Sequence, residues 1–192
     1  MEQDEGRKSQ ILNIAMNLFA QKGYDGVGVQ EICQQAEITK PTLYYYFGSK
    51  AGILEEIAST YGNRFCQLIE NAAEYEHDFT KSITRLYQDT IKFASENTVF
   101  FRLHNSLINA PENSEAKSIY TKVTEQIKNT IRHFFELSCQ ELGNMRGKEI
   151  LYATLFTNSL FSVSMAVLAK EIEADDQIIY QLVHSFMYGI VS

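Results

Sequence analysis

Proline, cysteine and strand-like alternation are all scarce in this chain, and each scarcity narrows what it can be. Two prolines, Pro41 and Pro111, in 192 residues leave long stretches in which a helix can run unbroken. Alternation of polar and apolar residues is nearly absent, which argues against a sheet; apolar residues instead recur at helical spacing almost throughout. Cys33, Cys66 and Cys139 are odd in number, widely spaced and set among helix formers. They are expected to be buried free thiols in a reducing compartment. His77, His104, His133 and His184 show no HxxxH spacing and the cysteines no CxxC, so no metal site is expected. No Ser/His/Asp order, glycine-rich phosphate loop or paired-carboxylate motif invites an enzyme reading. No apolar run is seen to approach the roughly 20 residues that span a bilayer. The opening MEQDEGRKSQ is acidic and polar, with no apolar signal region behind a positive start. A cytoplasmic protein with no membrane partner and no cofactor is expected.

Positive charge is also in short supply, with a formal net charge of −7, but it is unevenly spread. From Arg7 to Lys50 the balance is +2, whereas from Ala51 onward it is −6. That asymmetry suggests a small anion-facing head on an acidic body.

The helical pattern divides into many segments. The first, near Arg7 to Lys22, carries Ile11, Ala15, Leu18 and Phe19 on one stripe and stops at Gly23, where glycine can take the left-handed cap. Short helices follow at about Val29 to Ala36 and Lys40 to Phe47, the latter stopped by Gly48. A fourth begins after Ser49, a suitable N-cap, and runs to Asn71 or beyond. Longer helices are expected at about Asp78–Glu96, Thr98–Asn109, Ser114–Glu141, Gly147–Glu171 and Asp175–Ile190. The fold expected is all-α: an N-terminal three-helix unit over residues 1–50 and a larger C-terminal helical bundle over 51–192.

The informative stretch is VGVQEICQQAEITKPTLYYYFGSK, Val27 to Lys50. Two short helices separated by Glu37-Ile38-Thr39 match the helix-turn-helix plan, whose second helix enters the major groove. Successive helical residues turn by about 100°. Leu43 and Phe47 therefore share one face, while Pro41 and Tyr45 point nearly opposite, flanked by Thr42 and Tyr44. Tyr46 sits back toward the core side. Three consecutive tyrosines cannot all be buried, and a tyrosine hydroxyl can bond a phosphate oxygen. Lys50 lies at a helix N-terminus, where the dipole disfavours a cation unless an anion fills the site.

ITKPTLYYYFGSK closely resembles the signature of the TetR/AcrR-like family of transcriptional regulators, in which Leu-Tyr-x-x-Phe closes the recognition helix and a lysine follows. GYDGVGVQEICQQAE resembles the family's first turn and second helix. The resemblance covers residues 7 to 55 closely. Beyond them it rests on helix lengths, their order and a loosely similar FFRLHNSLINAPENSEA. It implies a dimer of about nine helices per chain, with a ligand pocket in the larger domain. It implies double-stranded operator DNA as partner, contacted by Gln30, Thr39, Lys40, Pro41, Thr42, Tyr44, Tyr45, Tyr46 and Lys50, with Thr39 capping the recognition helix or touching phosphate. Two departures stand out. Glu37 occupies a turn position that is usually glycine, so strain is expected there. Gly28 replaces a capping Ser or Thr, so one hydroxyl contact is lost.

The last two helices, Leu151 to Ala169 and Ile178 to Val191, are apolar over wide arcs, which suits a two-fold four-helix subunit interface. Ser162, Ala166, Phe186 and Gly189 are the interface candidates. Two recognition helices would then lie roughly 34–36 Å apart. An unidentified small-molecule effector, an inducer that releases the repressor from DNA, is expected among aromatic residues with polar groups between them. The candidates are Phe100, Phe101, His104, Asn105, Phe134, Asn158 and Phe161. Gly52 and Gly62 fall within the fourth helix and are read as points where it pivots or bends. Two other readings stay open: a helical interaction module with a vestigial helix-turn-helix, and a DNA-binding regulator without an inducer.

Overall fold

The helical periodicity is realised along the whole chain. The computed structural model describes residues 2–191, apart from the side chains of 2, 3, 144 and 189–191. Among the described residues there are nine helices and no strand. They are α1 (Glu2–Lys22), α2 (Val29–Gln35), α3 (Lys40–Phe47), α4 (Lys50–Ile57, continued through a π turn at Ala58–Gly62 into Asn63–Ala72), α5 (Phe79–Glu96), α6 (Thr98–Ile108), α7 (Glu115–Glu141), α8 (Glu149–Leu168) and α9 (Asp176–Val191).

Boundaries follow local chemistry. α1 starts at Glu2, ahead of the expected Arg7. The acids Asp4 and Glu5 in its opening turns complement the helix dipole, which apolar periodicity does not register. Asp78 caps α5 by accepting from the Lys81 amide at 2.9 Å. α8 stops at Leu168, where Lys170 takes φ 61° and the amides of Lys170 and Glu171 close on the carbonyls of Val167 and Ala166, both at 3.0 Å.

The chain divides into two compact units, residues 1–63 with 99–123 and residues 64–98 with 124–192. The position 50/51 read from sequence thus falls at the first residue of α4, inside the first unit. In that unit α1 lies against α2 and α4, and α3 against α2 and α4. Ile11, Ala15, Leu18, Phe19, Ile32, Leu43, Ile53, Leu54 and Ile57 are buried there. Removing such a side chain from water is worth roughly 1.5–3 kcal/mol, so this small head has a core of its own. In the second unit α5 packs on α8 and α9.

Two expectations are refined by the structure. Gly52 and Gly62, read as pivots, have a packing reason that periodicity does not show. A Cβ at Gly52 would lie 1.9 Å from the Phe47 carbonyl oxygen, and one at Gly62 would lie 2.8 Å from a methyl of Val123. Each glycine marks a close approach that a side chain would block, and the local irregularity of α4 is the π turn ending at Gly62. The other concerns long apolar helices. Glu149–Leu168 has 20 residues and a mean hydropathy of 1.5 over its most apolar window, enough in length and composition to cross a membrane. Counting uninterrupted apolar runs missed it, because Thr, Ser and Asn break the run without adding charge.

Candidate nucleic-acid interface

The turn between α2 and α3 is built by backbone hydrogen bonds. α2 ends at Gln35, and Glu37 takes φ 52° in the left-handed region. The Ile38 amide donates to the Cys33 carbonyl at 3.0 Å and the Glu37 amide to the Gln34 carbonyl at 3.3 Å, the paired bonds of a Schellman cap. The Arg7 guanidinium donates to the carbonyls of Ala36 at 3.4 Å and Glu37 at 3.1 Å, tying the turn to α1. At the other end of α2, Gly28 is the N-cap, without a side-chain hydrogen bond.

α3 is entered through a cap of its own. Thr39 Oγ1 accepts from the Thr42 amide at 3.4 Å and lies 2.9 Å from Thr42 Oγ1. Pro41 falls at the start of the helix, where its missing N–H costs nothing. Leu43 and Phe47 are buried, and the opposite side is open to water. Thr39, Lys40 and Pro41 are exposed, Tyr44 is 47% and Tyr45 77% exposed, and Thr42 is half-buried. Gln30 is exposed on α2. The outer face of α3 thus offers hydroxyls, one ammonium and two aromatic rings with no core to join.

The head uses most of its positive charge internally. Lys8 pairs with Glu56 at 2.9 Å and Lys22 with Glu31 at 2.5 Å, while Arg7 holds the turn carbonyls. Lys50 departs from the reasoning that placed an anion beside it. Its ammonium donates to the carbonyls of Tyr24 at 3.1 Å and Val27 at 3.2 Å and lies 4.0 Å from the centroid of the Tyr24 ring. Those partners stabilise the cation at the start of α4 without an anion, so it acts as a clamp on the α1–α2 loop. Tyr46 also turns inward: it is half-buried and its hydroxyl donates to Asp4 of α1. That carboxylate raises the phenol pKa above its ordinary value. Among the described residues 7–50, Lys40 is left as the basic side chain with no hydrogen bond or ion pair inside the head.

The residues read as an effector site divide between the two units. Phe100, Phe101 and His104 are buried on α6 and Asn105 is half-buried. The His104 ring shares a 2.8 Å hydrogen bond with the Tyr120 hydroxyl, and burial drives its pKa down to about 3, keeping it neutral. In the second unit Phe134 stacks on Phe79, with centroids 5.6 Å apart, and Phe161 lies 6.2 Å from Phe65. Asn158 does not join the rings. It is exposed, on the rim of a cleft of about 220 Å³ lined also by Asn129, Thr154 and Thr157. A cavity of about 650 Å³ that sequence reasoning did not find is lined by Thr84 and Gln88 of α5 and Ile179, Val183, His184 and Met187 of α9. No local motif marks it; it follows from how α5 and α9 pack.

Of the interface candidates, Ser162 is exposed and Ala166 half-buried, on the α8 stripe that also exposes Leu151 and Leu155. Phe186 points into its own unit, with ring centroids 5.2 Å from Phe156 and 6.0 Å from Phe135. It shares a helix face with the buried Ile179 and Val183, whereas the exposed Tyr180 and Tyr188 lie on another face of α9 and line the cavity beside α5. The surroundings of Gly189 lie outside the described residues.

A Schellman-capped helix, a four-residue turn and a second capped helix with an outward polar and aromatic face form the helix-turn-helix of a DNA-binding regulator. Residues 11–57 match the family model described as bacterial regulatory proteins, tetR family. Over 133 residues the chain is 30% identical to IcaR of Staphylococcus epidermidis, the HTH-type negative transcriptional regulator of the biofilm operon icaADBC, spanning 67% of this chain and 69% of that one. Among solved structures, a proposed fatty acid metabolism regulator of Clostridium perfringens is similar at 25% identity and a TM-score of 0.72, over 95% of this chain and 99% of that one. FadR of Bacillus subtilis, in complex with stearoyl-CoA, is similar in fold at 16% identity and a TM-score of 0.73, over 95% and 98% of the two chains. The chain belongs to the tetR family of bacterial regulatory proteins. It is a transcriptional regulator and not an enzyme.

Proposed function

We propose that the protein is a cytoplasmic repressor that binds a palindromic operator as a homodimer and is released by a small-molecule inducer. The observation that carries the DNA reading is the exposed face of α3, where Thr39, Lys40, Pro41, Tyr44 and Tyr45 stand clear of the core on a helix capped at its entry. Tyrosine and threonine hydroxyls position the helix on phosphates, and Lys40, Thr42 and Gln30 are the candidates to reach base edges. Tyr46 and Lys50 act through the scaffold instead, holding α3 and the α1–α2 loop in place.

Dimerisation is supported by the apolar surface left on α8, where Ile150, Leu151 and Leu155 are exposed. Such side chains bring two copies together when their stripes meet across a two-fold axis. Support for an effector comes from the α5–α9 cavity, whose volume falls in the range of small-molecule sites and whose lining mixes apolar side chains with Thr84, Gln88 and His184. The regulators of similar fold point to an acyl-chain ligand as the first to try, with stearoyl-CoA as probe. A concentration-dependent rise in Tm on adding it supports this class, and no rise rules out stearoyl-CoA as the effector.

The DNA reading is tested by selecting bound duplexes from a random pool with purified protein at moderate salt. A consensus of two inverted half-sites supports it. No enrichment from folded, dimeric protein would favour an interaction module with a vestigial helix-turn-helix.

A further inference from the structure

Tyr24 lies in the turn after α1, next to the Gly23 that ends the helix, and is buried. Three groups meet on it. The Phe19 ring packs on one side with centroids 5.2 Å apart, the Lys50 ammonium sits 4.0 Å from its ring centroid, and its hydroxyl donates to Glu115 Oε2 at 2.5 Å. Glu115 belongs to the first turn of α7, ninety-one residues along the chain, where the helix dipole favours a carboxylate.

The segment that carries Glu115 is itself tied together. Ser114 caps α7 by accepting from the Lys117 amide at 3.1 Å, and the Lys117 ammonium reaches back to the Ile108 carbonyl at the end of α6 at 2.7 Å. Higher up, His104 of α6 bonds Tyr120 of α7. A shift of α6 therefore carries the start of α7 with it. On the other side of Tyr24, Lys50 joins the carbonyls of Tyr24 and Val27 to the first residue of α4, fixing the approach to α2. A carboxylate accepting a hydrogen bond from the phenol enriches the ring in electrons and so strengthens its hold on the ammonium.

We propose that the Tyr24–Glu115 hydrogen bond is a latch that joins the α6–α7 corner to the DNA-binding head, so that displacement of this corner loosens the head. The proposal rests on the DNA reading above and extends it by naming the residues that transmit the signal. Tyr24 and Glu115 are positioning residues, engaged with each other inside the fold.

Tyr24→Phe keeps the ring beneath Lys50 and removes only the hydroxyl, and Glu115→Gln keeps an acceptor without the charge. Binding of the pool-selected duplex is measured by fluorescence anisotropy, alongside amide hydrogen exchange of residues 109–118 with and without that duplex. The expected result is a fall in affinity of about tenfold for Tyr24→Phe, a smaller fall for Glu115→Gln, and no further loss when the two are combined. In the wild type, DNA slows exchange in 109–118; in Tyr24→Phe that response disappears. Wild-type affinity with an unchanged exchange response in Tyr24→Phe overturns the latch and leaves the DNA reading standing. So do losses that simply add in the double variant. Wild-type protein that selects no duplex overturns both readings together. Far-ultraviolet circular dichroism confirms that each variant is folded.

Discussion

Glu37→Gly should stabilise the protein, although it deletes a side chain and frees the unfolded backbone. Glu37 holds φ 52° at the position that closes α2, a conformation in which its Cβ crowds the following carbonyl. Left-handed geometry costs a non-glycine residue about 1–2 kcal/mol. Glycine removes that cost and gives back roughly 0.4–1 kcal/mol in unfolded-state entropy. The net gain is about 0.5–1 kcal/mol, which for a chain of this length corresponds to a Tm higher by roughly 1–4 °C. The backbone bonds of the cap do not depend on the side chain: Ile38 to Cys33, Glu37 to Gln34, and Arg7 to the Glu37 carbonyl all remain. Glu37→Ala is the control, since it removes the carboxylate and keeps the strain. Thermal melts at one fixed protomer concentration should separate the two variants, with Glu37→Gly above wild type and Glu37→Ala at or below it. Equal gains in both variants would trace the effect to charge and refute the strain reasoning. No gain in Glu37→Gly would mean that the turn stores no strain.

The different uses of Lys40 and Lys50 predict different losses. Lys40→Ala should lower operator affinity and make the salt dependence shallower by about one counterion per head, read from log K against log salt. Lys50→Met should leave that slope unchanged and instead reduce stability by about 1.5–3 kcal/mol in urea titration, because two hydrogen bonds from a charged donor are lost inside the head. Gly62→Ala should destabilise the fold through its 2.8 Å encounter with Val123, seen as a lower urea midpoint. The thiols should be inert in the native state: all three cysteines are buried, and burial pushes Cys66 and Cys139 up to about 11. A raised thiol pKa leaves the protonated, unreactive form in place through pH 8, so thiol-exchange reagents should label the chain only after denaturation.

Much of the fold is legible in the sequence because its signals are local. The glycines after α1 and α3, the capping Ser49 and the apolar stripes fix where helices begin and end within a few residues. The outward face of α3 is legible for the same reason: a 100° step separates Leu43 and Phe47 from Tyr45 without any knowledge of the fold. What periodicity cannot supply is the partner of a side chain that reaches across the chain. Lys50 finds its carbonyls in the α1–α2 loop, Tyr46 finds Asp4, and Tyr24 finds Glu115. Phe186, an interface candidate by its sequence, falls in phase with Ile179 and Val183, a phase visible only once those two are known to be buried. The α5–α9 cavity joins segments nearly a hundred residues apart and leaves no trace in either one alone.

The measurement that bears most directly on the role of α3 is the affinity of Tyr45→Ala for the selected operator beside that of the wild type, at one fixed salt concentration. Tyr45 is 77% exposed and makes its one described ring contact with its neighbour Tyr46, so its removal should leave the fold and its Tm unchanged. If α3 enters the groove by this face, affinity should fall by about tenfold or more, as expected for a contact worth roughly 1–3 kcal/mol. Unchanged affinity in the folded variant would contradict the assignment and move the DNA contact to another surface of the head.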